Sequence, residues 1–175
     1  MDFEFFEKLS RNEANAFLRR FLQVESSEIK KTLKECADEG IITDYSIKSI
    51  SPLMRWVLKR LITAPLEPDP AVEDWIRNTD SYAKSLFEFD APSSVLVMQT
   101  AYYLGESYVR NHRSLRWSTG DRETAEGNLP VVTGFQHDLE LAPVLIAENL
   151  LRRVIAEPKK VGDFEKAVAY WCRMV

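Results

Sequence analysis

Two short apolar runs, Leu115-Arg116-Trp117-Ser118 and Leu129-Pro130-Val131-Val132, decide the fold class of this chain. Each is too short for a stable helix and reads as a strand. Between them Thr119 to Asn128 is polar and carries Gly120 and Gly127. Two strands so connected predict a small antiparallel hairpin. On either side of it the hydrophobic period is helical. The expected class is therefore α+β, predominantly helical, with a small antiparallel β-hairpin or sheet in the C-terminal half.

Upstream, Asp90-Ala91-Pro92 combines a cap with an early proline and starts a helix. Its predicted buried stripe is Val95, Met98, Ala101, Tyr102, Gly105 and Val109. A glycine inside a helix costs about 1 kcal/mol against alanine, so Gly105 points to close approach by another element. Downstream, Pro143 opens a helix carrying Leu145, Ile146, Leu150, Leu151 and Val154; Pro158 ends it. Asp163 is read as the cap of a last helix holding Phe164, Ala167, Val168 and Trp171. Toward the N-terminus, Thr63-Ala64-Pro65-Leu66-Glu67-Pro68-Asp69-Pro70 excludes a helix or central strand and reads as a stiff connector. Asp69-Pro70 repeats the cap signal, predicting a helix with Val72, Trp75 and Ile76 that continues to Phe87 after a break near Asn78. Earlier still, Phe6, Leu9, Phe17, Leu18, Phe21 and Leu22 predict one helix. Ser26 or Ser27 is read as the cap of a second, carrying Ile29, Leu33, Cys36 and Ala37 and ending at Gly40. Asp44 to Ile50 is ambiguous and open to an extended reading, and Ser51-Pro52 starts a helix with Leu53, Trp56, Val57, Leu61 and Ile62. Trp56, Trp75, Leu104, Leu150 and Trp171 are expected to be buried. The chain reads as one domain over 1–175, with a helical part at 1–64 and helices plus the small sheet at 71–175.

At 175 residues, 45% apolar and 29% charged, the chain is long enough to build its own core without a staple. The formal charge of −4 argues against nucleic-acid binding as the main function. Two cysteines do not make a disulfide framework. Charge breaks every apolar segment well short of the roughly 18 residues of a membrane helix. The start, Met1-Asp2-Phe3-Glu4, lacks the basic opening of a signal peptide. The expectation is a cytoplasmic protein with no membrane or nucleic-acid partner.

Chemistry-bearing motifs are sparse. There is no G-x-G-x-x-G, no P-loop and no nucleophile elbow. Gly120 and Gly127 bracket a loop whose Asp121, Glu123 and Glu126 would repel a phosphate. Cys36 and Cys172 lie among apolar residues at helical spacing and read as core. His137-Asp138-Leu139-Glu140 has residue types suited to zinc or manganese. In an extended segment, however, His137 shares its face with Leu139 rather than with either acid, so neither metal nor cofactor is expected. Glu106 lies near an apolar stripe four residues before Arg110, which fits an ion pair holding the helix against the hairpin. Its catalytic alternative is a small hydrolase or transferase with a cleft near Glu106, His112 and His137.

Charge is unevenly placed. Residues 45–64 carry four basic groups and no acid, whereas residues 65–90 carry seven acids against two basic groups. Residues 119–140 carry five acids against one. Glu73 and Asp74 in the first acidic stretch, and Asp121, Glu123 and Glu126 in the second, are the candidate contacts for a basic protein partner. The alternative is a solvated surface that serves solubility.

Residues 101 to 154 carry a cadence: Ala101-Tyr102-Tyr103-Leu104-Gly105-Glu106, then Trp117, Pro130-Val131-Val132, Pro143 and Asn149-Leu150-Leu151-Arg152-Arg153-Val154. This resembles small bacterial domains, some of them similar to immunity proteins of toxin systems. The resemblance covers about a third of the chain and brings no catalytic residue with it. It implies a non-catalytic protein-binding module of the immunity type, and the acidic stretches, read from the charge distribution, are the surface through which such a module would act.

Overall fold

The computed structural model describes residues 4–121, 123 and 127–175. The chain is 63% helical with two small antiparallel sheets of two strands each. Its elements in order are α1 (Glu4–Glu7), α2 (Arg11–Asp38), a 3-10 turn (Ile47–Ser49), α3 (Ile50–Leu58), β1 (Thr63–Pro65), α4 (Asp74–Arg77), α5 (Asp80–Ser85), β2 (Phe87–Phe89), α6 (Ala91–Asn111), β3 (Arg116–Thr119), β4 (Pro130–Thr133), a 3-10 turn (Gln136–Asp138), α7 (Pro143–Ala156), a 3-10 turn (Pro158–Gly162) and α8 (Asp163–Cys172). Among the described residues no helix is long and apolar enough to cross a membrane.

The centre is α6. Asp90 caps it by accepting a hydrogen bond from the Ser93 amide at 2.8 Å. From Val97 to Tyr108 every residue but Met98 and Glu106 is buried. This differs from the one-sided stripe expected, in which Val95 is instead 52% exposed. Helices α2, α3 and α7 and strand β3 all pack on α6, so it is wrapped on most sides. The wrapping is tolerable because the buried polar side chains find partners. Thr100 and Ser107 donate to the carbonyls four residues back, and Thr32 of α2 bonds Gln99 at 2.5 Å. Tyr108 donates to the Val168 carbonyl at 2.9 Å, tying α8 down.

Gly105 is where the second half of the chain locks on. A Cβ at this position would fall inside the Trp117 indole and 2.9 Å from Pro143 Cγ. The absent side chain lets β3 and the start of α7 approach the α6 backbone together.

Helix α2 runs unbroken for 28 residues, where two helices were expected. The cap is Ser10, in a reciprocal capping box with Glu13. Ser26 and Ser27 instead turn their hydroxyls back to the carbonyls of Gln23 and Val24, which satisfies them inside a continuous helix. The helix ends as predicted at Gly40, with φ +77. The Ile41 and Gly40 amides bond the Cys36 and Ala37 carbonyls, a Schellman closure. Cys36 is buried there, and burial pushes its thiol up to about 11.

The segment between 44 and 50 is not extended: Ile47–Ser49 is a 3-10 turn leading directly into α3 at Ile50. Ser51 is therefore inside the helix and caps nothing. The proline connector supplies β1, which pairs with β2 in the register Thr63–Phe89, Ala64–Glu88 and Pro65–Phe87. The helix expected from Asp69 does not form. Asp69 closes a local turn by accepting from the Ala71 amide at 2.8 Å, and helix appears only at Asp74. Trp75 is 70% exposed rather than buried, and the four-residue α4 that carries it has no buried residue.

The predicted hairpin is present, with Trp117 opposite Val132. Trp56 and Leu104 are buried as expected, while Leu150 and Trp171 are only partly so. At α8, Gly162 occupies the cap position, and Asp163 in the first turn pairs with Lys166 at 2.9 Å and Arg153 at 3.4 Å. The larger core draws on α2, α3, α6, the β3–β4 hairpin, α7 and α8.

Two predictions follow from this packing. Gly105→Ala should destabilise the chain by about 1–3 kcal/mol in urea unfolding, since even one methyl overpacks the Trp117 contact; an unchanged midpoint would show that the indole has room to move. The second concerns Glu25 on α2, whose Oε2 is enclosed without a hydrogen-bond partner among the described residues. Burial, and then the like charge of Glu28, pushes its carboxyl from 4.5 up to about 7. The folded chain thus holds this proton more tightly than the unfolded chain does. The group's contribution is fully present below about 4.5 and is lost as pH rises to about 7. Glu25→Gln should match the parent near pH 4.5 and exceed it at pH 8 by about 1–2 kcal/mol, after allowance for partial exposure. A stability difference that is constant across this range would refute the assignment.

Candidate functional site

The catalytic alternative requires Glu106, His112 and His137 in one cleft. Both Glu106 oxygens are already engaged: Oε1 accepts from Arg110 Nε at 2.7 Å, and Oε2 accepts from Trp117 Nε1 at 3.1 Å. Arg110 in turn lies 3.9 Å over the Tyr45 ring. Glu106 thus joins α6 to the hairpin and to the loop after α2, which is the structural role expected of it. His112 follows the end of α6 with its ring against Tyr108, centroids 6.4 Å apart. His137 is exposed in the 3-10 turn, where it and Asp138 both take positive φ. Among the described residues no three His, Cys, Asp or Glu side chains are placed to hold a metal.

Three surface depressions are lined by other residues. The first, of about 440 Å³, lies between the end of α2 and α3 and includes Ile41, Ile42, Lys48 and Pro52. The second, of about 260 Å³, is lined by Phe87, Arg152, Arg153, Glu157 and Lys160. The third, of about 470 Å³, is lined by Arg11, Ser118, Thr119, Asp121 and Glu140. The first depression also includes Asp44, Ser46 and Ser49; the Ser46 amide donates to Asp44 at 2.9 Å, and the Ser49 hydroxyl is bonded to the Ser46 carbonyl and to Tyr103.

The candidate acidic contacts fall on two separate ribbons. Asp121 and Glu123 are exposed in the β3–β4 loop, and Glu126 lies outside the described residues. There the Asp121 amide donates to Glu140 at 3.1 Å, and the Glu123 amide donates to Asp121 at 3.0 Å. Arg11 anchors the base of this loop by donating to the Gly120 and Thr119 carbonyls. Glu73 and Asp74 belong to the other ribbon, on the excursion between β1 and β2. Glu73 accepts from the Trp75 indole N–H, and Asp74 pairs with Arg77. Glu67, Asp69 and Asp80 of the same excursion are also exposed.

Sequence reading missed the β1–β2 ribbon and the exposure of Trp75. The signal for the strand was present: Phe87-Glu88-Phe89 alternates with period two, and Phe87 is buried while Glu88 is exposed. Arg152 of α7 secures β2 by donating to the Phe87 carbonyl at 2.7 Å and lying near both phenylalanine rings.

Comparison with protein-family models, with curated proteins and with solved structures gave no match to the chain.

The Glu106 junction predicts that Glu106→Ala will cost about 1–3 kcal/mol, because it leaves the part-buried Trp117 N–H without its acceptor. Denaturant unfolding of this variant beside Arg110→Ala separates the two bonds. A loss in Glu106→Ala below about 0.5 kcal/mol would mean the indole bond contributes nothing.

Proposed function

We propose that this chain is a non-catalytic protein-binding module, of the immunity type that residues 101–154 resemble, engaging a basic protein partner through an acidic surface. The observation that carries the reading is Trp75, 70% exposed on α4 and flanked by the carboxylates of Glu73 and Asp74. A large aromatic left in solvent has no role in the core, and tryptophan is among the residues that most often anchor interfaces. Exposed acids around it supply long-range attraction for a positively charged partner and make its capture sensitive to salt. The committed state of Glu106 favours this reading over hydrolase or transferase chemistry.

The two acidic ribbons are separable by mutation. Glu73→Lys with Asp74→Lys, and Asp121→Lys with Glu123→Lys, alter exposed positions and should leave the melting temperature nearly unchanged. With a partner isolated from the native host, the first pair should slow association at least tenfold at low salt, and Trp75→Ala should speed dissociation. Parent-like kinetics at two salt concentrations for both charge-reversed pairs would eliminate the acidic-surface reading.

A further inference from the structure

The β1–β2 ribbon shows which kind of basic partner the acidic surface fits. One face of the ribbon is spoken for: Phe87 is buried, and Arg152 packs against the rings of Phe87 and Phe89. On the other face Ile62, Ala64, Leu66 and Glu88 are exposed, while Leu86 and Asp90 are half-buried. The ladder extends beyond the strands, with the Asp90 amide bonding the Ile62 carbonyl at 3.2 Å and the Leu66 amide bonding the Leu86 carbonyl at 2.9 Å. Alternation therefore sets Ile62, Ala64 and Leu66 on one face, opposite Asp90, Glu88 and Leu86. Ile62 is 63% exposed and Leu66 43% exposed. The result is an apolar strip beside the exposed carboxylate of Glu88, continuous in sequence with the acidic excursion.

The edges of the ribbon are closed to strand addition. The groups that face outward on β1 belong to Thr63 and Pro65, and proline has no N–H to offer. On β2 the outward carbonyl of Phe87 is taken by Arg152. A partner strand would find no run of free donors and acceptors on either side. The flat face remains, and face docking by an apolar stripe is the mode of an amphipathic helix. The dimensions agree. Ile62 to Leu66 spans about 13 Å at strand spacing, and positions i to i+7 of a helix span about 10.5 Å.

We infer that the ribbon face of Ile62, Ala64 and Leu66 is a docking site for a basic amphipathic helix of the protein partner. The helix lays its apolar stripe on the strip, and its flanking lysines or arginines meet Glu88 and the carboxylates of the excursion. This inference rests on the acidic-surface reading and specifies the partner's secondary structure and apolar spacing.

The probe is a synthetic peptide of leucine and lysine with leucines at i, i+3, i+4 and i+7. Two controls accompany it: the same composition in strict alternation, and a helical leucine–glutamate peptide. Titration calorimetry against the full chain should show the helical basic peptide binding at least tenfold more tightly than either control. Ile62→Ser and Leu66→Ser lie at exposed positions and should each cut that affinity at least fivefold with the melting temperature preserved. Equal affinity for helical and alternating peptides, no binding of the helical peptide, or indifference to both serine variants would overturn the inference. If binding is indifferent to the serine variants yet lost in Glu73→Lys with Asp74→Lys, the acidic-surface reading survives and only the docking face is wrong. If binding is unaffected by that charge reversal and by Glu88→Lys, the acidic-surface reading itself fails, and this inference with it.

Discussion

The contact on which most of the fold depends is the Trp117 indole lying on the backbone of α6 at Gly105. A six-membered ring edge replaces the space of one missing Cβ, and Pro143 closes in from the other side. Because interiors are packed at near-crystalline density, no larger residue fits without moving β3 or α7. The same indole stacks in parallel with Tyr102 and meets Phe21 of α2 edge-on. One side chain thus gathers α2, α6 and the hairpin. Its N–H is bound by Glu106, so the polar atom of this contact is also satisfied.

A central helix buried over most of its circumference poses a problem of polar groups. Helix α6 carries Gln99, Thr100, Tyr102, Tyr103, Ser107 and Tyr108 into the interior. The solution is local where the side chain is short and long-range where it is long. Thr100 and Ser107 return to their own helix. Tyr103 receives the Tyr45 amide at 2.9 Å and meets the Ser49 hydroxyl at 2.5 Å. Tyr103 also stacks on Tyr45, and Asn111 donates to the Tyr45 carbonyl, so the positive φ of Tyr45 is held from several directions. Burial pushes the phenols of Tyr102 and Tyr103 upward.

Against this packed body, the segment from Ile62 to Leu86 follows different rules. Its prolines exclude long helix, its two helices are short, and α4 has no buried residue. Large apolar side chains and carboxylates share the solvent there.

How much of this was legible beforehand depends on the range of the interactions involved. Local chemistry read well. Asp90 caps α6, Gly40 closes α2, Pro143 opens α7, and the runs at 115–118 and 129–132 form a hairpin, because caps, φ restrictions and period-two alternation act over a few residues. Signals of the same kind misled where two local outcomes were close in free energy. Ser26 and Ser27 can cap a helix or sit inside one, and Asp69 can start a helix or close a turn. Packing of neighbouring segments decided between them. Which face of α6 is buried, that Trp75 is exposed, and that Thr63–Pro65 pairs with Phe87–Phe89 were beyond local reading. Each of these depends on contacts between residues far apart in the chain. The sequence by itself determined the predominantly helical class, the β3–β4 hairpin and the starts of α6 and α7, and it placed a glycine where a helix needs close approach. Only the tertiary structure decided that Trp117 fills that space, because burial is a property of what lies across the interface and not of the segment that presents it.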